Sequence, residues 1–190
     1  MEVKRIHTGS TILYIEGEGI RPEMRGGFMR DEIYSAAIDN MIIVCTDTVI
    51  IDRQGQTFYL AKRSVRPMAG LWWIGGRRNK GETPLEGMRR NFKREAGLGL
   101  PQERFSFVAM TEYLWQDRAQ EPTEKGSHNL AHTFATELSP EELKIARKQL
   151  ETREYDPLFG LQEFDRARLV EEDVHPVILD VYDLIFGNKE

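Results

Sequence analysis

Residues 75–98, GGRRNKGETPLEGMRRNFKREAGL, concentrate the groups most able to do chemistry. Arg77, Arg78, Arg90 and Arg94 carry guanidinium forks that can bond two phosphate oxygens at once. Glu82 and Glu95 carry the oxygen donors that a hard divalent cation takes. Gly75 and Gly76 precede a helix start, where backbone amides suit an anion. A ligand carrying a diphosphate would meet all three requirements. Arg63 and Arg66 lie just upstream, and Trp72, Trp73, Tyr113 and Trp115 offer aromatic planes on which any nucleobase can stack. His128 is a further candidate for moving a proton.

The elements that must hold these groups are written around them. Thr83 can cap a helix, Pro84 suits its first position, Glu86 completes a capping box and Gly97 is a left-handed stop. Leu85, Met88, Phe92 and Ala96 then form one apolar stripe, with Asn91 and Glu95 beside it and Arg90 and Arg94 on the far side. Upstream, the β-branched run 41–52 predicts a buried strand, 53–55 a turn and 57–62 the returning strand of a hairpin. A loop over 64–70 leads into Leu71-Trp72-Trp73-Ile74. Downstream, 105–116 predicts a strand and 128–137 its antiparallel partner across a polar loop. Ser139-Pro140-Glu141-Glu142 opens a second capped helix running to about Glu151. A short strand is expected over 158–161 and an amphipathic helix over 176–186. Before residue 40 the pattern gives a short strand at 11–15, a Gly/Pro-rich stretch and a helix over 31–38. Helices alternating with hairpins favour an α/β class fold with a mixed sheet flanked by helices.

Composition excludes several functions. A net charge of −5 leaves no basic face for nucleic acid, so local arginine clusters point to a small anionic ligand. The lone Cys45 lies in an apolar run, which predicts a buried, inert thiol and is compatible with a reducing cytoplasm. No apolar run reaches transmembrane length, and the N-terminus lacks the apolar core of a signal peptide, so no membrane partner is expected.

Gly76, Glu82, Arg90, Glu95, Gly97 and Leu98, with Phe92 filling an aliphatic position, resemble the signature of the Nudix hydrolases, G-x5-E-x7-R-E-U-x-E-E-x-G-U. Two signature glutamates are replaced, by Asn91 and Arg94. The resemblance implies an α/β/α sandwich with the signature helix packed on the sheet. It divides the chain into an N-terminal extension (1–39), the Nudix domain (40–166) and a C-terminal helical segment packed on it (167–190). Arg63, Arg66-Pro67, Gly70, Trp72, Gly75-Gly76-Arg77, Lys80 and Glu82-Thr83 are similar, more closely, to the GDP-mannose mannosyl hydrolase branch. That branch implies a nucleotide-sugar substrate, water attacking the anomeric carbon, and Mg2+ (or Mn2+) on the diphosphate. By position, Glu95 and the Gly75 carbonyl would hold the metal, Arg63 and Arg77 would grip the leaving diphosphate, and Arg90 would stand near the metal. Arg66, Trp72 and Trp115 would contact substrate.

The branch's Gln-His pair falls at Glu154-Tyr155. Glu154 would then be a metal ligand or the general base, since a tyrosine of ordinary pKa about 10 is a poor base. The resemblance therefore predicts a hydrolase releasing sugar and nucleoside diphosphate. Attack at phosphorus, and a non-catalytic module that binds nucleotide sugars, stay open beside it. Enzymes of the family often dimerise, so a homodimer is among the expectations, although no segment of the sequence encodes one.

Overall fold

The computed structural model describes residues 3–8, 11–16, 19–20 and 25–187. Its first strands, β1 (Val3–Thr8) and β2 (Thr11–Glu16), form a two-stranded antiparallel sheet of their own. The expected strand at 11–15 is β2, while much of the Gly/Pro-rich stretch after it lies outside the described residues. Helix α1 (Asp31–Asn40) follows, then β3 (Ile43–Asp52), β4 (Thr57–Arg63), β5 (Gly70–Trp72) and β6 (Ile74–Arg77). The signature helix is α2 (Pro84–Ala96); β7 (Ser106–Trp115), β8 (Ser127–Glu137) and α3 (Pro140–Gln149) come next. The chain closes with β9 (Leu161–Phe164), α4 (Arg166–Glu171) and α5 (Pro176–Phe186).

The main sheet runs β5-β4-β3-β8-β7, with β6 added to β3 and β9 to β4. Only the β3–β8 pairing is parallel, so the sheet is mixed. Its centre is a fork. β4 pairs with β3 over residues 50–52 and then diverges to take β5, while β6 pairs with β3 over residues 45–48. Alternation along β3 sends Ile50 to one face and Val49 and Ile51 to the other, and both faces are buried. On the first face Ile50, Ile74 and Phe134 pack with Met88 and Phe92 of α2 and Ala146 of α3. On the second, Val49, Phe58 and Leu60 pack with Leu169 of α4 and Ile178 and Val181 of α5. Helices on both faces make an α/β/α sandwich.

Helix α2 begins and ends where its capping residues place it. Thr83 accepts from the Glu86 amide at 3.2 Å and the Glu86 carboxylate accepts from the Thr83 amide at 2.7 Å. Gly97 sits at φ +71, and a Cβ there would lie 2.1 Å from the Gln149 side chain. Gly97→Ala is therefore expected to cost about 1–2 kcal/mol from backbone strain alone. A thermal melt several degrees lower with unchanged far-UV dichroism is the expected reading.

Two segments differ from the sequence expectation. The short strand is at 161–164 instead of 158–161, because the Asp156 carboxylate accepts from the amides of Leu158 and Phe159 and holds that stretch in a turn. Gly75 and Gly76, expected to offer amides to an anion ahead of the helix, are residues of β6 paired with β3. Their amides are not an open anion cradle: that of Gly75 donates to Glu95 at 3.1 Å.

Candidate active site

A cleft of about 450 Å3 is lined from the fork of the sheet, the end of α2 and the segment through α1. Arginines face it from several elements. Arg63, at the end of β4, pairs with Glu154 at 3.1 Å. Arg66 pairs with Asp117 at 3.5 Å on the rim. Arg77 ends β6; its guanidinium donates to the Gly27 carbonyl at 2.7 Å and lies 5.4 Å from the centre of the Tyr34 ring. The Gly26 amide donates to the Lys80 carbonyl at 2.9 Å, fastening the segment before α1 to the loop after β6.

Aromatic rings share the same cleft. Tyr113 and Trp115, at alternate positions of β7, stack at 5.0 Å with planes 13° apart. Trp72 meets both edge-on, at 6.0 and 6.1 Å, and His175 packs against all three. The rings brace one another, so Trp72 is itself buried and gives the cleft a firm apolar wall.

Asp47 is the residue that sequence reasoning missed. It lies on β3 directly across from Gly75, lines the cleft, and is only 6% exposed. A Cβ on Gly75 would stand 2.2 Å from its carboxylate and 2.8 Å from the Thr46 carbonyl, so this approach needs glycine. Burial pushes the Asp47 carboxyl up to about 6, with the Trp73 indole and Arg63 pulling the other way. The Trp73 indole N–H makes no hydrogen bond of good geometry. It and the Tyr113 hydroxyl are buried polar groups without a partner. An acid inside an apolar, β-branched strand was the available signal, since such a group is costly to bury and tends to mark a site.

Residues of the signature helix fall into two groups. Arg90 does not line the cleft: it donates to Glu82 at 2.6 and 2.9 Å, to Asn91 at 2.8 Å and to the Arg77 carbonyl at 2.9 Å. Asn91 donates in turn to the Thr46 hydroxyl at 3.0 Å and the Gly76 carbonyl at 2.8 Å. The resemblance places Arg90 near the metal; here its donors are spent on Glu82, Asn91 and the Arg77 carbonyl. With its donors committed to the loop, it clamps β6, the loop and α2 together. Glu95 is fully buried beneath the cleft and accepts from the Arg94 guanidinium, the Tyr155 hydroxyl at 2.8 Å and the Gly75 amide. Burial pushes its carboxyl up to about 7, against the pull of Arg94.

Among the other candidates, Tyr155 is buried and its hydroxyl is driven well above 10 by burial and by Glu95, which removes it as a base. His128 pairs with Glu112 at 2.8 Å and is not part of the cleft lining. Glu154 does line the cleft, beside Arg63.

A NUDIX domain model matches residues 41–180 of this sequence. The chain belongs to the Nudix hydrolase family. Its fold is shared by a NUDIX hydrolase from Nitrosomonas europaea, with 16% identity over 78% of this chain and 91% of that one and a TM-score of 0.55. A MutT NUDIX hydrolase from Burkholderia pseudomallei matches at 18% identity over 75% and 97%, with a TM-score of 0.55. The NUDIX domain of Shewanella oneidensis NrtR, complexed with ADP ribose, matches at 14% identity over 84% and 98%, with a TM-score of 0.53. At these identities the likeness is one of fold.

Nudix hydrolases generally use divalent metals such as Mg2+. The donors of this Nudix site do not fit that ion as folded. Both oxygens of Glu95 already accept from N–H or O–H groups, and the replaced signature positions present an amide at 91 and a guanidinium at 94. Among the described residues, no group of three His, Cys, Asp or Glu side chains could hold a metal ion. As folded, the Glu95 carboxylate is engaged by three protein donors. Gly75 approaches the same carboxylate through its amide, and Glu154 is paired with Arg63. No described helix is long and apolar enough to cross a membrane.

Proposed function

We propose that this Nudix protein hydrolyses a nucleoside-diphosphate derivative, with a nucleotide sugar of the GDP-mannose kind as the finer reading. One observation carries it: guanidinium groups of Arg63, Arg66 and Arg77 share a single cleft with the aromatic wall of Trp72, Tyr113 and Trp115. A diphosphate suits the first set and a nucleobase the second. The NUDIX domain of Shewanella oneidensis NrtR, which shares the fold, is complexed with ADP ribose, and this supports a ligand of the same general class.

In this reading Arg63 and Arg77 hold the diphosphate, where bond cleavage concentrates negative charge on oxygen. Glu154 lies beside Arg63 and takes the proton of the attacking water. Attack at the anomeric carbon breaks the carbon–oxygen bond, and the nucleoside diphosphate departs with both bonding electrons. The sugar keeps the oxygen of the water.

Hydrolysis of a nucleotide-sugar panel in 18O-labelled water tests both levels. Label in the free sugar supports carbon attack, and label in a phosphate product moves the reaction to phosphorus. Binding without turnover across the panel would overturn the hydrolytic reading.

A further inference from the structure

The Arg94 guanidinium occupies the position where the family's signature places a carboxylate, and it lies on the carboxylate that remains. Of the three donors to Glu95, it is the side chain that carries positive charge to the cleft. Its side chain is 47% exposed, whereas Glu95 beneath it is fully buried. Gly76 makes the room: a Cβ there would stand 2.9 Å from Arg94 Nη2. The negative charge that would attract Mg2+ is thus already met by a fixed cation. Mg2+ takes few protein oxygens and needs them free, and here it would have to displace the guanidinium and then sit next to it.

We propose that Arg94, seated on Glu95, stands in place of the divalent cation, so that this site holds its diphosphate ligand without Mg2+. The inference rests on the reading of the cleft as a diphosphate site. The chemistry is adequate to the task, because a guanidinium keeps its charge at any physiological pH and its planar fork bonds phosphate oxygens directly. Seating on Glu95 removes the rotamer freedom that would otherwise oppose such a contact.

Two measurements on the full chain decide it. Electron paramagnetic resonance of added Mn2+ reads the metal site without any ligand, and calorimetry with ADP, GDP and UDP reads diphosphate binding in EDTA and in Mg2+. The unmodified protein should show no stoichiometric Mn2+ site, and its tightest diphosphate should bind equally, within about twofold, in the two buffers. Arg94→Glu should gain a Mn2+ site and lose about tenfold or more of its affinity in EDTA, recovering it in Mg2+. Arg94→Gln, which keeps a hydrogen bond to Glu95 within reach, should lose the affinity and gain no metal. A stoichiometric Mn2+ site in the unmodified protein that Glu95→Gln abolishes, or diphosphate binding that requires Mg2+, would overturn the replacement alone. Failure of all three diphosphates in both buffers would overturn the reading of the cleft and this inference with it.

Discussion

Arg77→Ala is expected to lower turnover of a nucleoside-diphosphate substrate about a hundred- to a thousandfold, the usual consequence of removing one donor from developing negative charge. The expectation follows from how the guanidinium is held. Arg63, Arg66 and Arg94 each face a carboxylate, from Glu154, Asp117 and Glu95 respectively. Arg77 has no carboxylate partner among the described residues; a carbonyl and the face of Tyr34 position it and leave its charge uncompensated. Its backbone stays in β6, so the fold should survive. Steady-state kinetics separate the roles: a loss in kcat marks action in the transition state, and a change confined to KM would make Arg77 an anchor only. Arg77→Lys should also be impaired, since an ammonium keeps the charge but not the fork.

Asp47→Asn is expected to make the protein more stable and less active. Burial holds the Asp47 carboxyl at about 6 against an ordinary 3.8, and at 1.36 kcal/mol per pH unit that gap amounts to roughly 3 kcal/mol of native-state destabilisation above pH 6. Because the folded value is the higher one, the protonated acid favours the native state. Its contribution is fully present below pH 3.8 and is lost as pH rises through about 6. The asparagine variant should therefore match the unmodified protein near pH 3.8 and exceed it increasingly up to pH 6, with a constant advantage beyond. Urea unfolding across that range measures this. A pH-independent difference, or a less stable variant, would show that the buried charge is not the cost. A carboxylate retained at such an expense in a ligand cleft is the pattern of a residue kept for activity at the expense of stability.

What could be read in advance depended on how local its cause is. Both ends of α2 follow from Thr83, Glu86 and Gly97, whose capping bonds span three or four residues, and the apolar stripe fixes which face is buried. Strand β6 was not legible because glycine weakens strand propensity. It exists through pairing with β3, some thirty residues earlier, and Gly75 is there to admit Asp47. The site shows the same division. The arginines around Gly75 could be named from type and spacing, and Arg63 and Arg77 do reach one cleft. Spacing could not say that Arg90 also donates to Asn91 and the Arg77 carbonyl, or that Glu95 lies below the cleft under Arg94 and Tyr155. Nor could it join Arg63 to Glu154 across 91 residues of chain. Those facts are settled by packing between distant segments, on which the local pattern is silent.

The span matched by the family model begins at residue 41, yet Gly27 and Tyr34 hold Arg77 and part of the cleft wall comes from α1. The cleft is thus lined both from the span that the family model matches and from the segment before it. The described residues before 41 carry no strand of the main sheet, so substitutions there can reshape the cleft wall without breaking a pairing of that sheet.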